Sequence, residues 1–367
     1  MSTAAQAPAV LPPHHLLTAF PEVNVCAPMV RYSKLPFRAL VARYNTHITT
    51  TPMILASEFS RNARARDSDF STNAEERGTF ELHDNEGRVH TVRGALVSQF
   101  AASEAAQLAD ACELIHPYVD GIDLNCGCPQ PWAYTEQLGS YLLRKPETVA
   151  DMVRTVRARL GDGYCVSVKI RIDEDLRQTD TLVRNALHAG ASLLTIHGRT
   201  RHQSSQSCPV DLDGVRFAVD TANTCGLHTA IGTSAWPVGE DGGSGGIVPT
   251  VVNGDIWTAE DAVHHRKATG ARGAMSARGL LANPALFAGR AATPPEAVET
   301  FTDYAVRWGL HPALFQYVTA DSRHVAYMLE SSFADRHESV YFNALGSPAS
   351  VLDWLADEGY IRPWGHP

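Results

Sequence analysis

The sequence predicts a (β/α)8 barrel followed by a small helical domain. Three observations point there. Eight short apolar, β-branched runs recur up to Ser276, helical patterns separate them, and after Gly289 the strand pattern stops. Strands alternating with helices give a parallel sheet, and eight such units over roughly 250 residues close into a barrel. A doubly wound open sheet is the competitor, but its first strand leads into G-x-G-x-x-G, and none follows Met29.

The expected strands are Asn24–Met29, Ile48–Ala56, Ala95–Phe100, Gly121–Asn125, Cys165–Ile172, Leu193–His197, Thr250–Asn253 and Gly273–Ser276. The helices between them are expected over Leu35–Tyr44, Ser103–His116, Pro146–Leu160, Thr179–Ala189 and Thr258–Thr269. Ser103 has the chemistry of an N-cap, and Pro146 suits a first helical position. Two excursions interrupt the repeat. Arg61–Val92 is polar and charged, and Gly232–Val248 is Gly-rich and reads as a surface insertion. Beyond the linker Ala291–Pro295, helices are expected over Val298–Trp308, Pro312–Ala320, Ser322–Ser332 and Pro348–Glu358, the last opened by Ser347 as cap and Pro348 as first residue. The division is therefore a loose lead over 1–22, a barrel over 23–290 and a helical domain over 296–367.

The chain has 367 residues, of which 44% are hydrophobic and 19% charged, the balance of an ordinary globular protein. No apolar run approaches the roughly 20 residues that span a bilayer. The first basic side chain is Arg31, which argues against a secretory or Arg-rich transit leader. Seven scattered cysteines, an odd number, fit a reducing compartment, cytoplasmic or nuclear, better than a disulfide framework. Cys126 and Cys128 lack a second pair at zinc spacing, and no His/Asp/Glu cluster with catalytic metal spacing stands at the strand ends. The net charge of −9 points away from nucleic acid, yet Arg31–Arg66 holds seven cations against Glu58 alone.

In this barrel the active site lies at the C-terminal strand ends. The first strand brings Pro28 and Met29 there, the third Gln99, and the fourth Asn125 and Cys128. The fifth brings Lys169 and Arg171, the sixth His197 and Arg199, the seventh Asn253, Gly254 and Asp255, and the eighth Arg278 and Gly279. The glycine turns after the last two strands let backbone N–H groups approach a phosphate, to which Arg278 adds charge. A lysine inside a barrel is unfavourable unless it meets an anion or acceptor. A flavin ring offers such acceptors at its pyrimidine edge, Gln99 can donate and accept there, and His197 can bond cofactor or substrate. The set fits a flavin mononucleotide (FMN) cradle better than a metal site.

The motifs resemble the tRNA-dihydrouridine synthases. Cys26-Ala27-Pro28-Met29-Val30 with Pro36-Phe37-Arg38 is similar to their opening. Asp123-Leu124-Asn125-Cys126-Gly127-Cys128-Pro129, Val168-Lys169-Ile170-Arg171, Thr195-Ile196-His197-Gly198-Arg199-Thr200, Val252-Asn253-Gly254-Asp255 and Ala277-Arg278-Gly279 follow in the family's order, across Val23 to Gly289. Gln130-Pro131-Trp132-Ala133, and Val340 to Leu345 in the tail, resemble the eukaryotic branch acting at positions 20a and 20b of the tRNA D-loop. The resemblance implies a barrel holding FMN, NADPH as reductant, and a helical domain that helps hold tRNA; a monomer without metal or membrane is expected. It implies that Pro28, Met29, Gln99, Lys169, His197, Asn253, Gly254, Asp255, Arg278 and Gly279 line the flavin. It also implies that Cys128 is the catalytic thiol.

Hydride delivered to C6 of uracil leaves C5 in need of a proton. Thiols in water ionise near pH 8.5, so most can donate one at neutral pH. A stacked uracil cannot meet flavin and thiol together, so the base is flipped out. Asn125 is expected on the uracil edge and Arg171 on a carbonyl or phosphate. Cys126 is expected to be packing. Many family members carry a Lys shortly after the Cys-Pro, where Gln130 to Ala133 stand here. A local cationic surface is expected from Arg31, Lys34, Arg38, Arg61, Arg64, Arg66, Arg199 and Arg201. The competing functions are a dihydroorotate-dehydrogenase-like reductase of free pyrimidines and a non-catalytic tRNA-binding module.

Overall fold

The computed structural model describes residues 7–225, 247–309, 324–345 and 347–362. Eight parallel strands form one barrel: β1 (Val23–Cys26), β2 (Ile48–Thr50), β3 (Ala95–Ala101), β4 (Gly121–Cys126), β5 (Cys165–Arg171), β6 (Leu193–His197), β7 (Thr250–Asn253) and β8 (Gly273–Ser276). Each strand pairs with the next, and β8 returns to β1, Gly273 opposite Val23 and Ser276 opposite Cys26. The ladder between β2 and β3, Ile48 opposite Ala95 and Thr50 opposite Val97, completes the ring. A closed ring has no edge, so the strand backbones satisfy one another.

All eight expected strands are present, and prolines explain the two that differ most. β1 stops at Cys26 because Pro28 has no N–H to donate; Ala27 N makes the last bond, to Ser276 O at 2.9 Å. The second run divides at Pro52, and Ile54–Leu55 rejoins the sheet beside Phe100 and Ala101. Pro146 does open its helix, Pro146–Leu160, and Thr258 caps Ala259–Thr269 with a reciprocal capping box. The Ser103 cap is not formed. That helix spans Ala105–Ile115 with Glu104 at the cap, and Gln107 Nε2 binds the Glu104 carboxylate at 2.5 Å.

The segment expected as a loose lead is, from Ala7 on, part of the body. Helix Pro13–Ala19 closes the N-terminal end of the barrel with Leu16 and Leu17, both fully buried. A Cβ on Gly273 would lie 2.6 Å from Leu17 Cδ2, so the plug fits only beside glycine. Leu16, Leu17 and Phe20 join Val25, Ile48, Val97, Leu193, Val251 and Met275 in an apolar floor.

The polar excursion is also structured. Asn62 caps helix Ala63–Asp69, and the antiparallel hairpin Thr79–His83 with Val89–Arg93 buries Phe80, Leu82 and Val92. Ala9–Val10 extends that sheet beside Val92 and Arg93. Arg38 fastens the excursion to the first barrel helix, Leu35–Ala42: it meets Glu76 at 2.5 Å and the carbonyls of Ser33 and Ser71 at 2.6 Å. Both side chains are buried, so Arg38, expected on the cationic surface, is internal and neutralised.

Beyond the barrel the described helices are Pro295–Arg307, His324–Leu329, Arg336–Ala344 and Pro348–Asp357. The Ser347 cap is formed, accepting from Ser350 N at 3.1 Å. The expected helix Pro312–Ala320 and most of the Gly-rich insertion lie outside the described residues. Phe301, Val325, Met328, Phe342 and Leu355 share one apolar cluster with the helix-facing side of the barrel. Fully buried His324 pins the tail to the loop after β1: its Nε2 lies 2.7 Å from Tyr32 O, and its ring stacks on Phe301 at 5.1 Å.

The Arg38–Glu76 pair makes this packing testable. Replacing Glu76 with Ala leaves a buried guanidinium without its counter-charge and is expected to remove about 3–5 kcal/mol from chemical unfolding stability. A loss below 1 kcal/mol would show that the pair does not hold the excursion.

Candidate active site

Strand parity places the site. Side chains along a strand alternate between the two faces. On β5 that sends Ser167, Lys169 and Arg171 inward and Val168 and Ile170 toward the helices; on β4 it sends Asp123 and Asn125 inward and Leu124 and Cys126 outward. Asn125 stands opposite Lys169, Lys169 opposite Thr195, and Arg171 and Asn253 on either side of His197. Gln99 is one strand away, opposite Asp123. The expected inner set, Gln99, Asn125, Lys169, Arg171, His197 and Asn253, is therefore brought together above the apolar floor. Pro28 and Thr50 line a small cavity of about 20 Å³ beneath it, with Asp123 and Ser167 among its polar walls.

The same parity separates the two cysteines. Cys126 is fully buried in the helix-facing core, and burial pushes its thiol well above the usual range. Cys128 lies past the strand end and is half-buried beside Ala101, Ala133 and Leu138. Asn125 Oδ1 accepts from Gly127 N at 3.1 Å and Cys128 N at 2.9 Å, and Arg171 donates to Gly127 O and Thr200 O, each at 2.9 Å. The observed bonds of Asn125 and Arg171, both expected at the substrate, thus hold the thiol loop. One residue near the thiol escaped the sequence reading: Gly139, at φ +60°, accepts no Cβ, which would lie 2.7 Å from Cys128 O. Its only signal was an isolated glycine between the polar Thr135-Glu136-Gln137 and the apolar Tyr141-Leu142-Leu143.

The electrostatics are one-sided. Lys169 Nζ donates to the neutral amide oxygen of Asn253 at 2.9 Å, and Asn253 Nδ2 to Met275 O. Among the described residues no carboxylate forms a salt bridge with Lys169. Burial, with Arg171 adding to it, lowers Lys169 to about 8, and burial and Arg199 lower Arg171 to about 10. Burial and the cations Lys169, Arg171, Arg199 and Arg278 hold His197 well below its ordinary range, so its ring is neutral. Arg199 Nη1 lies 3.4 Å from His197 Nε2. Arginine only donates, so Nε2 accepts and Nδ1 carries the hydrogen.

Arg199 itself corrects an expectation. It is buried, bonds Cys208 O at 2.6 Å and pairs with Asp255 at 2.5 Å, and so is no part of an external cationic surface. The Asp255 carboxylate also accepts from Val210 N at 2.9 Å and Arg278 Nη2 at 3.2 Å, at a left-handed φ of 49°. The space a Cβ would take at Gly254 and Gly279 is filled by His197 and Val210 and by Ile256 O. Met29 N donates to Ser33 Oγ, turning the chain so that exposed Arg31 sits at φ 72°. Around the mouth, Arg278 lies over Trp257 at 4.9 Å and Arg201 over Tyr134 at 3.9 Å, with Trp132 exposed beside it. An open cleft of about 360 Å³ runs between Ser207, Cys208, Asp255, Trp257 and Arg278.

The donor set fits an anionic, acceptor-rich planar group such as a flavin. It offers a half-buried ammonium without an anionic partner, a neutral imidazole presenting Nδ1–H, and a Gln99 amide with one hydrogen and one lone pair to spare. Among the described residues no three His, Cys, Asp or Glu side chains are grouped to hold a metal ion, and no helix is long and apolar enough to cross a membrane.

A family model described as "Dihydrouridine synthase (Dus)" matches residues 25–222 and 244–342. A human protein named as a tRNA-dihydrouridine(20a/20b) synthase-like protein of the NAD(P)+ type is 39% identical over 91% of this chain and 90% of its own. The Schizosaccharomyces pombe tRNA-dihydrouridine(20a/20b) synthase is 39% identical over 93% of this chain and 89% of its own, and the Saccharomyces cerevisiae one 36% over 94% and 82%.

The desolvated lysine predicts a pH effect on the ligand-free chain. Below about pH 8 Lys169 is charged in both the folded and unfolded states and its desolvation weighs fully on the fold. Between about 8 and its ordinary 10.5 the folded state releases the proton first, so stability rises with pH. Lys169→Met is expected to be more stable than the wild type by about 1–3 kcal/mol at pH 7, with the difference closing toward pH 10.5. A difference that stays constant with pH would contradict this.

Proposed function

The chain belongs to the dihydrouridine synthase family, and from that premise we propose that it reduces uridine to dihydrouridine at positions 20a and 20b of the tRNA D-loop, with bound FMN and with NADPH as reductant. The observation that carries this reading is a half-buried thiol held at the rim of a half-buried cationic layer. The names of the relatives, which include tRNA, the two positions and NAD(P)+, support it.

In this reading residues 23–290 hold the flavin and 296–367 help hold the tRNA, in one monomer. Lys169, Gln99, His197 and Asn253 would hold the ring, Pro28 and Met29 would form a wall, and Arg278 with the backbone N–H groups of Gly254, Asp255 and Gly279 would hold the phosphate end, the Asp255 carboxylate serving to orient Arg278. When bound and reduced by NADPH, FMN would supply the hydride for C6 of the uracil. Cys128 gives its proton to C5 from the opposite face. Asn125 keeps one amide hydrogen for the uracil edge beyond the loop it fastens, and Arg171 keeps the thiol loop against the loop after β6. Arg31, Lys34, Arg61, Arg64, Arg66 and Arg201 remain as the local cationic surface for RNA phosphates, without Arg38 and Arg199. Seven free cysteines support a reducing compartment, cytoplasmic or nuclear.

Site-resolved dihydrouridine mapping of tRNA with and without this protein tests the function: positions 20a and 20b are expected to lose the modification when it is absent, and an unchanged map would refute the assignment. Cys128→Ala is expected to keep flavin and tRNA binding while turnover falls by about 10²-fold or more; wild-type turnover would remove the thiol from the mechanism. Reversing Arg61, Arg64 and Arg66 to Glu is expected to weaken tRNA binding and flatten its salt dependence. An unaltered salt slope would put the RNA elsewhere.

A further inference from the structure

We propose that Asp123 is a positioning residue: as a fixed acceptor at the base of a hydrogen-bond chain, it sets the orientation of the Gln99 and Asn125 amides and through them holds the loop that carries Cys128. The catalytic meaning of this chain rests on the reading above; its geometry does not.

The chain is continuous. Asp123 Oδ2 accepts from Gln99 Nε2 at 2.7 Å, Gln99 Oε1 from Asn125 Nδ2 at 2.8 Å, and Asn125 Oδ1 from the backbone N–H groups of Gly127 and Cys128. The three side chains are 4%, 1% and 7% exposed, so water does not readily stand in for a missing partner. Ser167 Oγ, 2.5 Å from Asp123 Oδ1, anchors the other oxygen.

A carboxamide donates at one end and accepts at the other, so two in series form a directional chain. Here the direction is forced at both ends. The backbone N–H groups of Gly127 and Cys128 only donate, which obliges Asn125 to present its oxygen to them and its nitrogen to Gln99. Gln99 must then present its oxygen to Asn125 and its nitrogen to the next partner, which must accept. Asp123 accepts there whether or not its other oxygen carries a proton. Without an acceptor, Gln99 keeps a buried unpaired N–H or turns over, and turning would set its nitrogen against that of Asn125. The loop would then lose its fastening. The chain also decides which end of Gln99 faces the site above.

The test compares two replacements of similar size. Asp123→Asn can still offer an oxygen to Gln99 while donating to Ser167 Oγ, so it keeps the direction. Asp123→Leu offers no acceptor. The readouts are the alkylation rate of Cys128 by iodoacetamide, followed by mass spectrometry of its peptide, and the single-turnover rate on tRNA. Asp123→Leu is expected to change the alkylation rate about fivefold or more and to lower turnover about 10- to 100-fold. Asp123→Asn is expected to stay within about threefold of the wild type on both. Equal behaviour of the two variants, or no effect of Asp123→Leu, would overturn the proposal.

If Asp123→Leu does not fold, the exchanged pair decides. Asn125→Asp keeps the acceptor for the loop but sets an oxygen against Gln99 Oε1, so Gln99 must turn and meet Asp123 with its own oxygen. Adding Asp123→Asn supplies a donor there and lets the chain between them run in reverse. The double variant is expected to recover melting temperature and the Cys128 alkylation rate relative to Asn125→Asp alone; absence of that recovery would overturn the proposal. Alkylation and melting need neither flavin nor RNA, so they report on the chain even if the protein proved not to act on tRNA.

Discussion

The convergence of side chains at the mouth depends on the parallel ladder between β2 and β3, which turns a row of strands into a ring. In an open sheet, Gln99 on β3 and Asn253 on β7 would lie several strand spacings apart. In the ring their inward faces meet across one axis, and register sets the height of each. The cost of closing is that only side chains fill the interior. The lower layers are therefore apolar and plugged by Leu16 and Leu17, and the polar residues collect in the uppermost layer, where the strands end.

That upper layer carries more positive charge than its own carboxylates answer. Asp255 is occupied by Arg199 and Arg278, and Asp123, whose carboxyl burial itself raises, lies a level lower against Gln99 and Ser167. Lys169 is left with an amide, and His197 is held neutral by burial and the cations around it. Within the chain the imbalance is met by lowering Lys169 and His197 below their ordinary ranges; an anion bound there would relieve it further.

The arginines divide by burial rather than by position in sequence. Arg38 and Arg199 come from the same Arg-rich stretches as Arg31, Arg61, Arg64, Arg66 and Arg201, yet both are internal and paired. The first ties the excursion to the barrel, and the second fixes the tautomer of His197. A charge count along the chain cannot separate these jobs, because a guanidinium is equally able to meet a phosphate in water and a carboxylate in the core.

The eight strands, their order and the strand-end set were legible in the sequence, because strand periodicity and proline chemistry are local and act within a few residues. The place of Gln99, Asn125, Lys169, Arg171 and His197 at the ends of their strands follows from those runs alone. The tertiary structure alone decided the plug formed by Pro13–Ala19, the hairpin inside the polar excursion, the burial of Arg38 and Arg199, and the hydrogen-bond chain from Asp123 to Cys128. Each of these joins residues that are distant in sequence, or sets a bond direction through a third residue. Such contacts leave no period or spacing in the chain, since they exist only once the ring has closed.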